Sequence, residues 1–262
     1  MKETIIHSLS AVHPKAHLGN GVVIEAFASI AEDVVIGDGT WIGSGVVIMN
    51  GARIGNNCKI YPGAVISAAP QDLKYTGEKT TFIIGNNTTI RECCTLNKGT
   101  IDRGYSSVGD NCLLMAYVHV AHDVVIGNNC IVANSANIAG HVTIEDHVIL
   151  EGVVAIQQFV SIGKHCFIGG GSLVRKNVPP YVKAAREPLS YVGVNAIGLR
   201  RRGFDSESVQ RIEDVYRYLY IHNSNFSQAL AAAAAELPLS DEKSYILNFI
   251  NNSTKGVIRG PF

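Results

Sequence analysis

Between Ile6 and Val174, 26 of the 29 positions numbered by multiples of six carry Ile, Val or Leu, and only Asp72, Glu78 and Asp102 depart from the rule. A period of six is neither the 3.6 of an α-helix nor simple alternation. Being even, it keeps all these side chains on one side of an extended chain. The residue four places on, two before the next aliphatic, is nearly always small or β-branched, as at Ala28, Thr40, Ala64, Cys112, Val124 and Cys166. It therefore shares the inward side, and the chain must turn within each repeat. Glycine often follows the aliphatic, as at Gly19, Gly37, Gly55, Gly85 and Gly127, where a corner is expected to demand a positive φ. Strand and corner in alternation describe a solenoid whose stacked turns bury one continuous core.

The pattern lapses over residues 67–83 and 98–107 and resumes in phase both times, which reads as two loops thrown out from corners of a rigid scaffold. It ends near residue 178. Beyond lie "DSESVQRIEDVYRYLYIH", with Asp205 or Ser206 as cap, then "FSQALAAAAAEL" and "DEKSYILNFINNSTKG", all with helical spacing. The expected organisation is a parallel β solenoid over 1–178 and an α-helical C-terminal domain over 179–262 that caps its open end. Cys58, Cys94, Cys112, Cys130 and Cys166 occupy the inward slot and are expected in the core, while Cys93 alone sits off the pattern. Neither zinc spacing nor a disulfide framework is present.

Lys plus Arg and Asp plus Glu both total 22, so the chain offers no net field for nucleic acid. No continuous apolar stretch resembles a signal peptide or spans a bilayer. The expectation is a cytoplasmic protein without stable membrane insertion.

The hexads resemble those of the hexapeptide-repeat transferases, and that resemblance implies three hexads per triangular coil and a left-handed parallel β-helix. With 18 residues per coil, His122, Gly140 and Gln158 form one column and Asp123, His141 and Phe159 the next, rising about 4.8 Å per step. The stretch "MAYVHVAHDVVIG", residues 115–127, thus sets His119, His122 and Asp123 within five residues and below a glycine amide. Such a histidine can act as general base, the amide can meet a developing oxyanion, and Asp123 can fix the tautomer. No Ser or Cys nucleophile lies in the column, so direct attack by a substrate hydroxyl fits better than a covalent intermediate. Three alternatives stand beside this: purely structural corner histidines, a zinc site like that of hexapeptide carbonic anhydrases, and a structural solenoid, whose Thr-rich faces are absent.

A more specific likeness rests on "QDLKY" at 71–75, "IRE" at 90–92, "NCLLM" at 111–115, "HVAHD" at 119–123, "AGHV" at 139–142, "VPPYV" at 178–182, "GVN" at 193–195 and "RRGF" at 201–204. Together these resemble the UDP-N-acetylglucosamine acyltransferase family over nearly the whole chain. The resemblance implies transfer of a 3-hydroxyacyl chain from acyl carrier protein to the sugar 3-hydroxyl, the step that opens lipid A synthesis. It implies His122 as base, Asp123 as its partner and the Gly140 amide as oxyanion donor. Asp72 and Lys74, with Gln71 beside them, would hold the sugar nucleotide. His119, His141 and Gln158 would line the pocket, and Asn195, Arg201 and Arg202 would meet uridine and diphosphate. Gly170, above Gly152, would bound the acyl tunnel. The family further implies a homotrimer with sites between subunits and no cofactor in the chain, the acyl group arriving on the carrier's phosphopantetheine. Gln157, Asn97 and Ile197 depart from the family's usual residues. A related N-acyltransferase acting on a UDP-glucosamine derivative is the nearest alternative.

Overall fold

The computed structural model describes residues 3–222 and 225–260, so the outermost residues of both spans expected above lie outside it. Its strands stack into three sheets of 11, 9 and 8 strands, parallel but for one terminal strand of the first, that form the faces of a prism. His119 pairs with Asn137 and Val125 with Thr143, an offset of 18 residues per coil. Two offsets are longer. Lys59 pairs with Thr89, 30 residues on, and Thr89 with Leu113, 24 on. The two loops therefore insert 12 and 6 residues, whole hexads, which is why the ladder returns in phase.

The aliphatic ladder from Ile24 to Val174 is buried and forms the core with its small inward partners, including the five hexad cysteines. Ile6 is 48% exposed, its strand pairing on one side only among the described residues. Cys93, the off-pattern thiol, is exposed at a corner.

The glycines that follow the aliphatics do not supply the positive φ expected of them. That conformation falls two residues later, at Gly39 and Gly45 but also at Asn57, Asn87, Asn111 and Asn129, types that tolerate it. The earlier glycines answer a different need, close approach between coils: a Cβ on Gly37 would stand 2.6 Å from the Gly55 carbonyl carbon. Beside them runs a polar ladder between the third and first sheets. Asp38 Oδ1 accepts from the Asn20 amide at 2.8 Å, Asn56 Oδ1 from Asp38 at 2.8 Å, and Asp146 Oδ1 from Asn128 at 2.6 Å.

Past residue 178 the chain is not wholly helical. Each of Pro179 and Pro180 biases the residue before it toward extended backbone, and Val182–Ala185 extends the first sheet by pairing with Phe167–Ile168, then turns back antiparallel into Ser190–Val194. This closes the last coil. Among the described residues four α-helices follow: α1 (Ala196–Arg201), α2 (Ser206–Arg217), α3 (Phe226–Glu236) and α4 (Asp241–Asn251). Asp205 caps α2 by accepting from Ser208 N, and a π-helical turn at Tyr218–His222 ends the segment expected to be one helix. The helices dock through tyrosines: buried Tyr216 donates to the Pro180 carbonyl and half-buried Tyr245 to Glu145 at 2.7 Å.

Candidate functional site

The corner between the second and third sheets carries His122, His141 and Phe159 in the predicted columns. His141 N donates to the His122 carbonyl at 3.1 Å and Phe159 N to the Gly140 carbonyl at 3.2 Å, so the coils are in step. The His122 ring lies flat against Gly140. A Cβ at 140 would stand 2.6 Å from its Cε1 and 2.7 Å from its Nε2, which explains why the position holds glycine without a positive φ.

Asp123 is fully buried, and its Oδ2 lies 2.8 Å from His122 Nδ1. The same carboxylate accepts from Thr100 N at 3.0 Å, Thr100 Oγ1 at 2.6 Å and Arg103 N at 3.3 Å. Burial pushes its pKa up, but the bonds from Thr100 and His122, with the charge of His141, outweigh burial and hold it below the usual carboxylate range. Asp123 is therefore an anion at neutral pH, and it orients His122 so that Nε2 is left to face outward. Asp72 Oδ2 lies 4.0 Å from that nitrogen.

His141 sits edge-on to His122, with ring centres 5.1 Å apart, and stacks on Phe159 at 4.6 Å. Its Nδ1 is 3.2 Å from Asp102 and its Nε2 3.6 Å from Asp123. Asp72, Lys74, Tyr75, Glu78, Asp102 and Gln158 join it around a cleft of about 320 Å³. The first loop is shaped by Asp72 itself, whose Oδ1 accepts from Lys74 N at 3.0 Å. Gln71 is exposed at the start of that turn and does not line the cleft. His119, on the second sheet, shares a 2.7 Å hydrogen bond with Thr95, and burial lowers its pKa.

Other residues singled out by the resemblance lie on different corners. Asn195 caps α1 and donates to the His165 carbonyl at 2.9 Å, beside the corner between the third and first sheets. Arg201 is exposed there. Arg202 is half-buried with an Nη1 that has no hydrogen-bond partner among the described residues. His147 and His165 stack at 4.7 Å on that corner, and Phe204 meets His165 edge-on. Gly170 stands on the remaining corner, where a Cβ would lie 3.3 Å from the Gly152 carbonyl. A single chain thus brings together His122, Asp123, Gly140, Asp72, Lys74, His141 and Gln158, and leaves Gly170, Asn195, Arg201 and Arg202 apart from them.

Sequence reasoning passed over Thr100, Tyr75, Glu78 and Asp102. A signal for two of them was present: Asp72, Glu78 and Asp102, the breaks in the aliphatic ladder, all line the cleft. Among the described residues, His122, Asp123 and His141 form a group close enough to hold a metal, with candidate ligand atoms within 4.8 Å of one another.

A hexad solenoid that bears a carboxylate-held imidazole on one corner is the architecture of the hexapeptide-repeat transferases. Residues 33–68 and 105–140 match the "Bacterial transferase hexapeptide (six repeats)" family, and 177–258 match "Udp N-acetylglucosamine O-acyltransferase; Domain 2". The chain is 41% identical over 261 residues to the acyl-[acyl-carrier-protein]--UDP-N-acetylglucosamine O-acyltransferase of Saccharophagus degradans, covering 98% of this chain and 100% of that protein. It is 40% identical over 255 residues to the enzyme of that name from Thermodesulfovibrio yellowstonii, covering 97% and 99%. The crystal structure of the UDP-N-acetylglucosamine acyltransferase from Bacteroides fragilis superposes with a TM-score of 0.95 at 48% identity, covering 97% of this chain and all of that one. The chain belongs to the acyl-[acyl-carrier-protein]--UDP-N-acetylglucosamine O-acyltransferase family, and its fold class is the left-handed parallel β-helix with C-terminal helices.

Proposed function

We propose that this chain moves a 3-hydroxyacyl group from acyl carrier protein to the 3-hydroxyl of UDP-N-acetylglucosamine, the first step of lipid A synthesis. The observation that carries the reading is the His122 ring, tied through Nδ1 to a buried anionic Asp123, pressed against Gly140 and set next to His141 and Asp72, which line the cleft. His122 Nε2 takes the proton of the sugar hydroxyl as its oxygen attacks the thioester carbonyl carbon. The Gly140 N–H, which has no hydrogen-bond acceptor among the described residues, meets the oxyanion. Collapse breaks the C–S bond, and His122 returns the proton to the departing pantetheine thiolate. Asp123 stays ionised and stabilises the imidazolium. The chemistry needs no cofactor in the chain.

Asp72 and Lys74, with Gln71 next to them, hold the sugar nucleotide, while His119, His141 and Gln158 line its path. Arg201, Arg202 and Asn195 serve uridine and diphosphate, and Gly170 bounds the acyl chain. Because these groups occupy three different corners, one substrate can touch them all only if neighbouring copies face one another, which favours a homotrimer with sites between subunits. Among the described residues no helix is long and apolar enough to cross a membrane, which accords with a cytoplasmic reaction on carrier-bound substrate.

A metal on His122, Asp123 and His141 is the rival reading. Against it, both Asp123 oxygens already accept from Thr100, and Oδ2 is shared with His122. Incubation with UDP-N-acetylglucosamine and a panel of 3-hydroxyacyl carrier proteins, with mass spectrometry of the product, tests the proposal. His122→Ala should lower turnover on the order of 10²- to 10⁴-fold in a folded protein. Near-normal turnover, or activity that tracks stoichiometric zinc by elemental analysis, would refute it.

A further inference from the structure

We propose that Thr100 is a positioning residue that sets the orientation and charge distribution of Asp123, and through it the tautomer of His122. The inference rests on the reading of His122 as general base. Thr100 lies in the second loop, in the six residues inserted between coils, yet it is only 8% exposed. It reaches both carboxylate oxygens at once: its N–H donates to Oδ1 at 3.0 Å and its hydroxyl to Oδ2 at 2.6 Å. The hydroxyl proton has no freedom in this matter. Thr100 Oγ1 accepts from Asp102 N at 3.3 Å, so its own proton is the one left for Oδ2.

That oxygen is the one His122 Nδ1 uses. The Thr100 hydroxyl and the imidazole therefore share one acceptor, and the hydroxyl draws charge from it. Without the hydroxyl, the charge on Oδ2 is less dispersed, which makes the His122–Asp123 pair easier to protonate. The carboxylate also loses a bond that stops it turning about its own axis, so Nδ1 is held less firmly in the protonated tautomer.

Thr100 is itself held. Its carbonyl accepts from Gly104 N at 2.8 Å, the neighbouring Gly99 carbonyl accepts from Thr80 Oγ1 at 2.6 Å, and Lys98 N donates to Ala68 at 3.0 Å. The foot of the first loop thus braces the second, and the second braces the carboxylate. The loop insertion gives the corner a built wall where a bare solenoid would leave Asp123 facing water.

The test uses Thr100→Val, which keeps the shape and removes the hydroxyl, and Thr100→Ser, which restores it. Each is made in the wild-type and Asp123→Asn backgrounds, and Thr100→Ala stands in if the valine variant does not fold. Loss of a hydrogen bond to a charged group predicts that Thr100→Val lowers kcat by about 10- to 100-fold, with KM for UDP-N-acetylglucosamine within roughly twofold of wild type. The acid limb of the kcat/KM profile should move to higher pH, Thr100→Ser should recover most of the rate, and in the Asp123→Asn background the valine change should cost less than about threefold. An unchanged kcat, an effect confined to KM, or an equal loss in both backgrounds overturns the inference. Failure of the base reading looks different: His122→Ala and Asp123→Asn would then retain activity themselves.

Discussion

A single methyl group at position 140 probes the site most sharply. Gly140 has no positive φ, so Gly140→Ala is compatible with the backbone, and the three atoms nearest the new Cβ all belong to the His122 ring. Built in place, that carbon would be 2.6 Å from Cε1 and 2.7 Å from Nε2. Carbon contacts settle near 3.5–4.0 Å, so the imidazole must withdraw by roughly 1 Å. It cannot do so while keeping its 2.8 Å bond to Asp123, which is locked in turn by Thr100 and Arg103. Misplacement of a reacting group by about 1 Å can lower the rate on the order of 10²-fold. Initial rates from product mass spectrometry should therefore fall by about that factor, with little change in melting temperature. A crystal structure of the variant should show Nδ1 drawn away from Oδ2. Gly152 offers the control, since it holds the equivalent slot on the next corner and its Cβ would meet only the Asn134 carbonyl at 3.5 Å. Gly152→Ala should leave turnover within about twofold. A Gly140→Ala enzyme as fast as the Gly152→Ala enzyme would refute the placement of His122 as the base.

Gly170→Met should bias turnover toward shorter acyl donors, because a side chain built beside the Gly152 carbonyl must extend away from the coil; relative rates across a chain-length series read this, and an unaltered profile refutes it. His165 gives a pH signature. Burial, then His147, Arg202 and Lys164, depress its pKa to about 3, so the unfolded chain binds a proton that the folded chain refuses between that value and about 6.5. The stability this contributes is present above pH 6.5 and is lost as pH falls toward 3. In His165→Asn the dependence of unfolding free energy on pH should be shallower in that window by up to one proton, about 1.4 kcal/mol per pH unit, whatever the overall stability change; an identical slope in denaturant titrations would count against the burial account.

The solenoid was legible because its signal is redundant. Each coil repeats the same demand for an inward aliphatic every sixth residue, and the two loops leave the demand intact because they insert whole hexads. The meaning of the glycines was not legible. A residue that needs a positive φ and one that needs a missing Cβ are the same letter, and only the facing carbonyls of the next coil show that Gly37 is the second kind. The hairpin after Pro180 escaped notice because its strands pair with the last coil, a contact no local window contains.

The site divides along the same line. His122, Asp123 and Gly140 follow from the coil length, since the hexapeptide resemblance implies three hexads per coil and a column is fixed once that length is known. Thr100 does not, because its role depends on where an irregular loop lands. A threonine in "KGT" has no periodic neighbour to mark it. Yet the loops did leave a trace. An inward slot is costly for a carboxylate, so Asp72, Glu78 and Asp102 can stand at multiples of six only where the chain has left the wall of the solenoid. All three surround the cleft beside His141. In a scaffold this regular, the acidic breaks in the apolar ladder are the places where chain was released from packing, and here that released chain supplies the walls around the His122 corner.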